Sequence, residues 1–181
     1  SPKLAIGAAY SYNVGASNIV GEGHNDFQMY DKEGAADYPD YRKLSADLLF
    51  KWNGFSLLAE YVNATANGLN GLYVEKDEGA KLKPHQIANY LALGNGFNVQ
   101  AGYLFRKLWA LDIAYSKVKP EWKETEQSVL READNITFGA SKYFNNNTFK
   151  LQLAGSYTSY NQLVGAGSKE FQVKLNLHIL F

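Results

Sequence analysis

The chain has 181 residues, with 18 basic and 18 acidic side chains, 14% aromatic residues and no cysteine. This length suits a single domain over residues 1–181, or a piece of a larger one. The balanced charge argues against a nucleic-acid partner, and the lack of cysteine excludes disulfides and thiolate chemistry. Apolar runs stay shorter than a membrane-spanning helix requires.

Apolar and polar residues alternate in eight segments, with the period of a β-strand. The predicted strands cover residues 3–12, 44–52, 55–61, 97–106, 109–116, 136–144, 149–158 and 171–181, and the fourth could begin as early as Ile87. The chain is therefore predicted to be all-β.

Short and long connections alternate along the chain. The short ones are Asn53-Gly54, 106–108 and 145–147, whereas 13–43, 63–84, 117–134 and 161–168 are long. Asn-Gly favours a two-residue hairpin turn, because both positions tolerate positive φ. The alternation predicts an up-and-down antiparallel meander with every tight turn at one end.

Aromatic residues on the apolar face gather near the strand ends, which indicates a barrel that crosses a bilayer. The candidates near the tight turns are Trp52, Phe55, Phe105, Trp109, Phe149 and Phe181, and those near the long loops are Tyr10, Tyr61, Tyr115 and Tyr157. Two aromatic girdles are typical of outer-membrane barrels. A soluble β-barrel with these residues in its core is the alternative.

The opposite face carries mixed charges, which suit a watery interior. The candidate pore-lining residues are Lys3, Asp47, Lys51, Glu60, Arg106, Asp112, Lys150, Lys174 and His178. The last strand ends on Phe181, as in Gram-negative outer-membrane proteins whose C-terminal strand is recognised by the barrel-assembly machinery.

Several strand segments carry a family resemblance. They are 52–61 (WNGFSLLAEY), 96–103 (GFNVQAGY), 109–116 (WALDIAYS), 143–144 with 149–152, and 171–175 (FQVKL). On these residues, most of 44–181 resembles the C-terminal part of the phosphate-selective porin O and P family. The resemblance implies the C-terminal half of a 16- to 18-stranded pore in a Gram-negative outer membrane, often trimeric, for passive diffusion of small hydrophilic and anionic solutes. A start inside a strand, at Pro2-Lys3-Leu4, is expected of such a half.

The sequence departs from that family in its arginine content. It has Arg42, Arg106 and Arg131, and only Arg106 belongs to the candidate lining. An anion preference would then depend mainly on the lysines, four of the five lining cations lying near the tight-turn end. The alternative is that these cations pair with the three lining carboxylates and simply fill the interior.

Two other functions compete with a channel. Eight strands are enough for a small closed barrel that is filled by side chains and acts through its long loops, in adhesion, membrane integrity or partner binding. An outer-membrane enzyme using His24 and Asp26 is the third possibility, but no catalytic motif accompanies this histidine. We therefore expect no enzymatic activity, no cofactor and no metal site.

Overall fold

A computed structural model describes residues 1–15, 30–33, 35, 37–68, 91–106, 108–122, 130–144, 149–161 and 169–179. The strands are β1 (Lys3–Asn13), β2 (Asp40–Trp52), β3 (Phe55–Asn67), β4 (Gly94–Phe105), β5 (Trp109–Pro120), β6 (Ala133–Phe144), β7 (Phe149–Tyr160) and β8 (Lys169–Ile179). They form one antiparallel sheet in chain order. The predicted all-β, up-and-down architecture is confirmed. No helix among the described residues is long and apolar enough to cross a membrane.

Several strands extend further toward the long loops than the alternation predicts. β2 begins at Asp40 rather than residue 44, and β3 runs to Asn67 rather than 61. The added ladder positions are largely polar; Arg42 lies opposite Thr65, for example. Since backbone pairing continues where apolar alternation has stopped, the sequence pattern underestimates strand length there.

The first tight turn has the backbone geometry that Asn-Gly predicts. Asn53 and Gly54 have φ values of 45° and 87°, both in the left-handed range of a type I′ turn. The turn also contacts β4, where the Leu104 amide donates to the Gly54 carbonyl at 2.8 Å. A Cβ on Gly54 would lie 2.8 Å from the Leu104 oxygen, so only glycine fits without adjustment.

The register keeps two chemically distinct faces apart across the whole sheet. Residues opposite one another on adjacent strands share a face, and Leu4, Phe50 and Leu57 are successive partners. We call the face containing Leu4 the apolar face and the face containing Lys3 the polar face. Side chains on the apolar face are largely exposed, up to 73% for Ile6 and 71% for Phe171.

The sheet curls with the polar face inside. Strand residues classed as buried all lie on that face: Ala64, Gly94, Gly102, Ala110, Pro120 and Ser141. Ser141 is only 1% exposed although it is polar. Residues on the inside of a curved sheet crowd together, whereas those outside spread apart.

The sheet has two edges. β1 pairs with β2 and β8 pairs with β7, and the described ladders include no pairing between β1 and β8. Every residue of β8 is exposed, as is every residue of β1 except Gly7. Both edge strands therefore present unpaired backbone groups over 11 residues each.

Candidate functional site

The polar face gathers most of the predicted pore-lining residues. The register places Lys3, Asp47, Lys51, Glu60, Asp112, Lys150, Lys174 and His178 on this one face. Arg106 differs: β4 ends at Phe105, and Arg106 lies in the following turn with φ 47°. Its side chain therefore belongs to the tight-turn end and not to a strand.

A cavity of 590 Å³ lies on the polar face at the tight-turn end. Its lining draws on all strands from β1 to β7, with Lys3 from β1, Lys51 from β2 and Lys150 from β7. Asp112 of β5 lines it too. Curling of the sheet thus brings three lysines and one carboxylate around one space.

Two aspartates fold over glycines on neighbouring strands inside this face. Asp47 lies opposite Gly7, and Asp112 lies opposite Gly102. A Cβ on either glycine would overlap the aspartate's carboxylate, and at Gly102 it would also lie 3.1 Å from Ser56 Oγ. The missing side chains leave the room that the carboxylates occupy.

Charges on the polar face separate along the strands, except that Asp112 shares the register row of Lys51 and Lys174. We call Lys3, Lys51, Lys150 and Lys174 the basic zone; Lys3 and Lys51 are direct partners. We call Asp47, Glu60 and Glu170 the acidic row. This row lies four residues nearer the long loops than Lys51 and Lys174. Asp47 is directly opposite Glu60. In the part of the chain that the structure describes, this row contains no cation.

The basic zone and the described carboxylates are not joined as ion pairs. Among described residues, the close pairs join Lys117 to Asp134 (3.1 Å) and Glu132 (3.9 Å), at the long-loop end. Instead, Lys150 Nζ donates to Gln152 Oε1 at 3.5 Å, and Asn98 Nδ2 donates to Glu60 Oε2 at 3.0 Å. The ion pairs required by the alternative, in which interior lysines pair with interior carboxylates, are not formed between these described residues.

At the long-loop end, part of the polar face is covered by chain. The Tyr41 hydroxyl donates to the Ala92 carbonyl at 3.2 Å, and the neighbouring Leu93 is only 1% exposed. The Glu121 amide donates to the Leu93 carbonyl at 3.0 Å, and burial raises the pKa of the Glu121 carboxyl. The two ends of the polar face therefore differ, one holding the basic cavity and the other a packed segment.

The aromatic candidates on the apolar face fall into rows near the strand ends. Trp52 pairs with Phe55, and Phe105 pairs with Trp109, beside the tight turns. Lys142 Nζ lies 4.2 Å from the centroid of the Trp109 ring. Phe149 pairs with Phe144 in the same way. At the other end, Tyr115 and Tyr157 share a register row through Ile136, whereas Tyr10 and Tyr61 each lie in a different row.

Beyond Tyr115, the apolar face becomes charged. The Tyr115 hydroxyl donates to Asp134, which also accepts from Lys117. Lys117 and Asp134 are direct partners on β5 and β6. The apolar band on these strands therefore ends in an aromatic row followed by an ion pair.

Some predicted features fall outside the described residues: Phe181, His24, Asp26 and the 145–147 turn. Among the residues that are described, no group of three or more His, Asp and Glu side chains is arranged to hold a metal. Sequence reasoning missed Glu170, because the last strand was predicted to begin at 171. It also missed the contact of Gly102 with Asp112, which only the register reveals.

No family model, curated protein or solved structure matches this chain.

Proposed function

We propose that this chain is an outer-membrane β-barrel protein of a Gram-negative bacterium, and that it conducts small hydrophilic solutes, anions among them, as a porin-like channel. The observation that carries the proposal is the separation of faces over eight strands, with the apolar side chains exposed on the outside of the curl and the charged ones inside. A soluble barrel would place its apolar face inside. Large exposed apolar surfaces mark contact with a membrane or another protein.

The dimensions and chemistry of the apolar face also fit a bilayer. Phe149 and Tyr157 bound this face on β7 and are eight residues apart. At about 3.3 Å per residue and a tilt near 40°, they span roughly 20 Å, close to the ~25 Å apolar band of outer-membrane barrels. Aromatic rings with nearby charges, as at Trp109 and Tyr115, are suited to the two interfaces.

The free edges require partners in a membrane. Unpaired backbone groups cost several kcal/mol each in hydrocarbon, so a spanning sheet must close. In the porin proposal, β1 and β8 pair with further strands, as in the C-terminal half of a 16- to 18-stranded barrel of the phosphate-selective porin type. The lipid, the barrel-assembly machinery and a trimeric arrangement are then the expected partners.

A second candidate is a closed eight-stranded barrel with a structural, adhesive or partner-binding role through its loops. The observation favouring it is that one cavity is lined by residues from β1 through β7. Further curling of the same sheet would bring β1 to β8, and eight strands suffice for a small barrel. Its interior would be filled by side chains rather than by a continuous column of water.

Planar-bilayer conductance of the refolded chain tests the channel proposal. Discrete openings of stable size would support a pore, and reversal potentials in a salt gradient would then measure its anion preference. A folded, heat-modifiable protein that gives no openings would overturn the channel proposal in favour of the closed barrel. Heat-denatured protein in the same detergent is the control for membrane leaks caused by the detergent.

A further inference from the structure

The polar face carries opposite charges in series, at a spacing repeated on two strands. On β2, Asp47 precedes Lys51 by four residues, and on β8, Glu170 precedes Lys174 by four. All four residues lie on the polar face. In both pairs the carboxylate is nearer the long loops and the lysine nearer the tight turns. On β2 a further lysine, Lys43, lies on the same face four residues beyond Asp47 toward the long loops. The basic zone, with four lysines against this one, is the stronger attraction for a carboxylate.

The separation between the two zones is close to the length of a short peptide. Four residues of strand correspond to roughly 13 Å between Cα atoms, a gap that the lysine and carboxylate side chains can shorten by leaning toward each other. An extended tripeptide spans about 10 Å at 3.3–3.6 Å per residue. A solute of this length reaches both zones at once.

Between the two zones lies a row that is mostly small or neutral. This row contains Ala5, Leu49, Leu58, Gln100, Ala114, Thr137, Ser156 and Gln172. Gln100 also lines the basic cavity. Its amide and the neighbouring hydroxyls can exchange hydrogen bonds with a peptide backbone. The cavity of 590 Å³ holds the basic end of this path and reaches Gln100, but its lining does not include the acidic row.

We propose that the polar face binds linear zwitterionic solutes lengthwise, with the carboxylate in the basic zone and the ammonium group at the acidic row. Short peptides are the solute class that fits this description. The inference deepens the proposed function by naming a solute class, and it rests on the polar face forming the interior. A simple anion meets the basic zone but is repelled by the acidic row, whereas a zwitterion is attracted by both.

Three forms of one peptide test this directly: triglycine, N-acetyl-triglycine and triglycine amide. The first is a zwitterion, the second an anion and the third a cation at neutral pH. Isothermal titration into the refolded, detergent-solubilised chain at low salt measures their binding without requiring conduction. We expect triglycine to bind about fivefold more tightly than either derivative, the change that one solvated charge pair can supply. Equal or tighter binding of N-acetyl-triglycine, or no binding of any form, would overturn the proposal.

Charge-neutralising variants test which zone binds which end of the peptide. Lys51→Gln should remove the preference for triglycine over its amide, whereas Asp47→Asn with Glu60→Gln should remove the preference over the acetylated form. Lys169→Gln is the matched control, because Lys169 lies on the apolar face at the long-loop end and should leave binding unchanged. Unchanged preferences in the polar-face variants would contradict the proposed orientation. Heat-modifiable migration verifies that each variant is folded.

Conductance separates this inference from the channel proposal. If the refolded chain prefers triglycine but never conducts, the binding inference stands and the channel proposal fails. If it conducts salt but does not discriminate among the three peptides, the channel proposal stands and the zwitterion inference fails.

Discussion

Gly102 lies directly opposite Asp112 on the polar face, and the Asp112 carboxylate occupies the space that a side chain at position 102 would require. On the other side of Asp112, the register places Gly139. A Cβ there would lie 3.6 Å from Asp112 Cβ, an ordinary contact. The two glycines flank the same aspartate, but only a side chain at position 102 would require the Asp112 carboxylate to move.

Replacing Gly102 should therefore destabilise the fold more than replacing Gly139. We expect Gly102→Val to cost about 1 kcal/mol, the low end of the range for overpacking, because the flexible Asp112 carboxylate can move aside. Gly139→Val is the matched control and should cost less, since the atom nearest to its Cβ is 3.6 Å away. Urea unfolding in lipid vesicles measures both, and equal costs would contradict the contact. Asp112→Ala should relieve part of the cost of Gly102→Val in a double-mutant cycle.

The Asn53-Gly54 turn provides a test of backbone strain. Gly54→Ala places a Cβ at positive φ and 2.8 Å from the Leu104 oxygen. We expect a loss of about 1–3 kcal/mol, the cost of such a strained conformation. Gly155→Ala is the control, since its Cβ would have open space up to the Phe171 ring at 3.9 Å. A loss at Gly155 as large as that at Gly54 would rule out turn strain as the cause.

Arginine substitutions on the apolar face test its contact with lipid. Ile113 lies mid-strand on β5, and Leu44 lies nearer the long-loop end of β2. Ile113→Arg should cost about 2–4 kcal/mol, whereas Leu44→Arg, nearer the interface, should cost about 1 kcal/mol or less. Free energies of unfolding from lipid vesicles make the comparison. Equal costs at both depths would argue against a hydrocarbon environment.

Lysines of the basic cavity should control any ion selectivity. Lys51→Glu with Lys150→Glu reverses two of the cavity's positive charges, so the reversal potential in a KCl gradient should shift toward cation preference. Lys142→Glu is the control, because Lys142 lies beside Trp109 on the apolar face. If the control shifts selectivity as much as the double variant, the cavity is not the selective element.

The sequence predicts the strands better than their relationships. Alternation locates all eight, because one side of each strand is consistently apolar, and Asn53-Gly54 identifies its own turn. In the added part of β3 the apolar residues Val62, Ala64 and Ala66 lie on the polar face, opposite added or polar residues of β2. The alternation changes face there, so it does not continue the pattern that identifies the strand. The acidic row could not be predicted from the sequence, because the cross-strand register is needed to align its members. One member, Glu170, also lies just before the predicted start of β8.

The candidate cavity illustrates the same limit. The alternation within each strand is enough to assign each lysine to the polar face. Lys3 of β1 and Lys150 of β7 line one cavity because the whole sheet curls. No local sequence pattern encodes that curl. The anchoring of residues 91–93 by Tyr41 likewise joins positions 51 residues apart.

The central claim is that the polar face meets water while the apolar face meets lipid. The chain has no native cysteine, so single substitutions Asp112→Cys, Ile113→Cys and Ala114→Cys give unique labels on successive positions of β5. In refolded protein in lipid vesicles, a small charged thiol reagent should modify positions 112 and 114. An uncharged fluorophore at position 113 should instead be quenched by brominated lipid tails. Reagent access to 113 with lipid quenching at 112 and 114, or no alternation at all, would contradict the account.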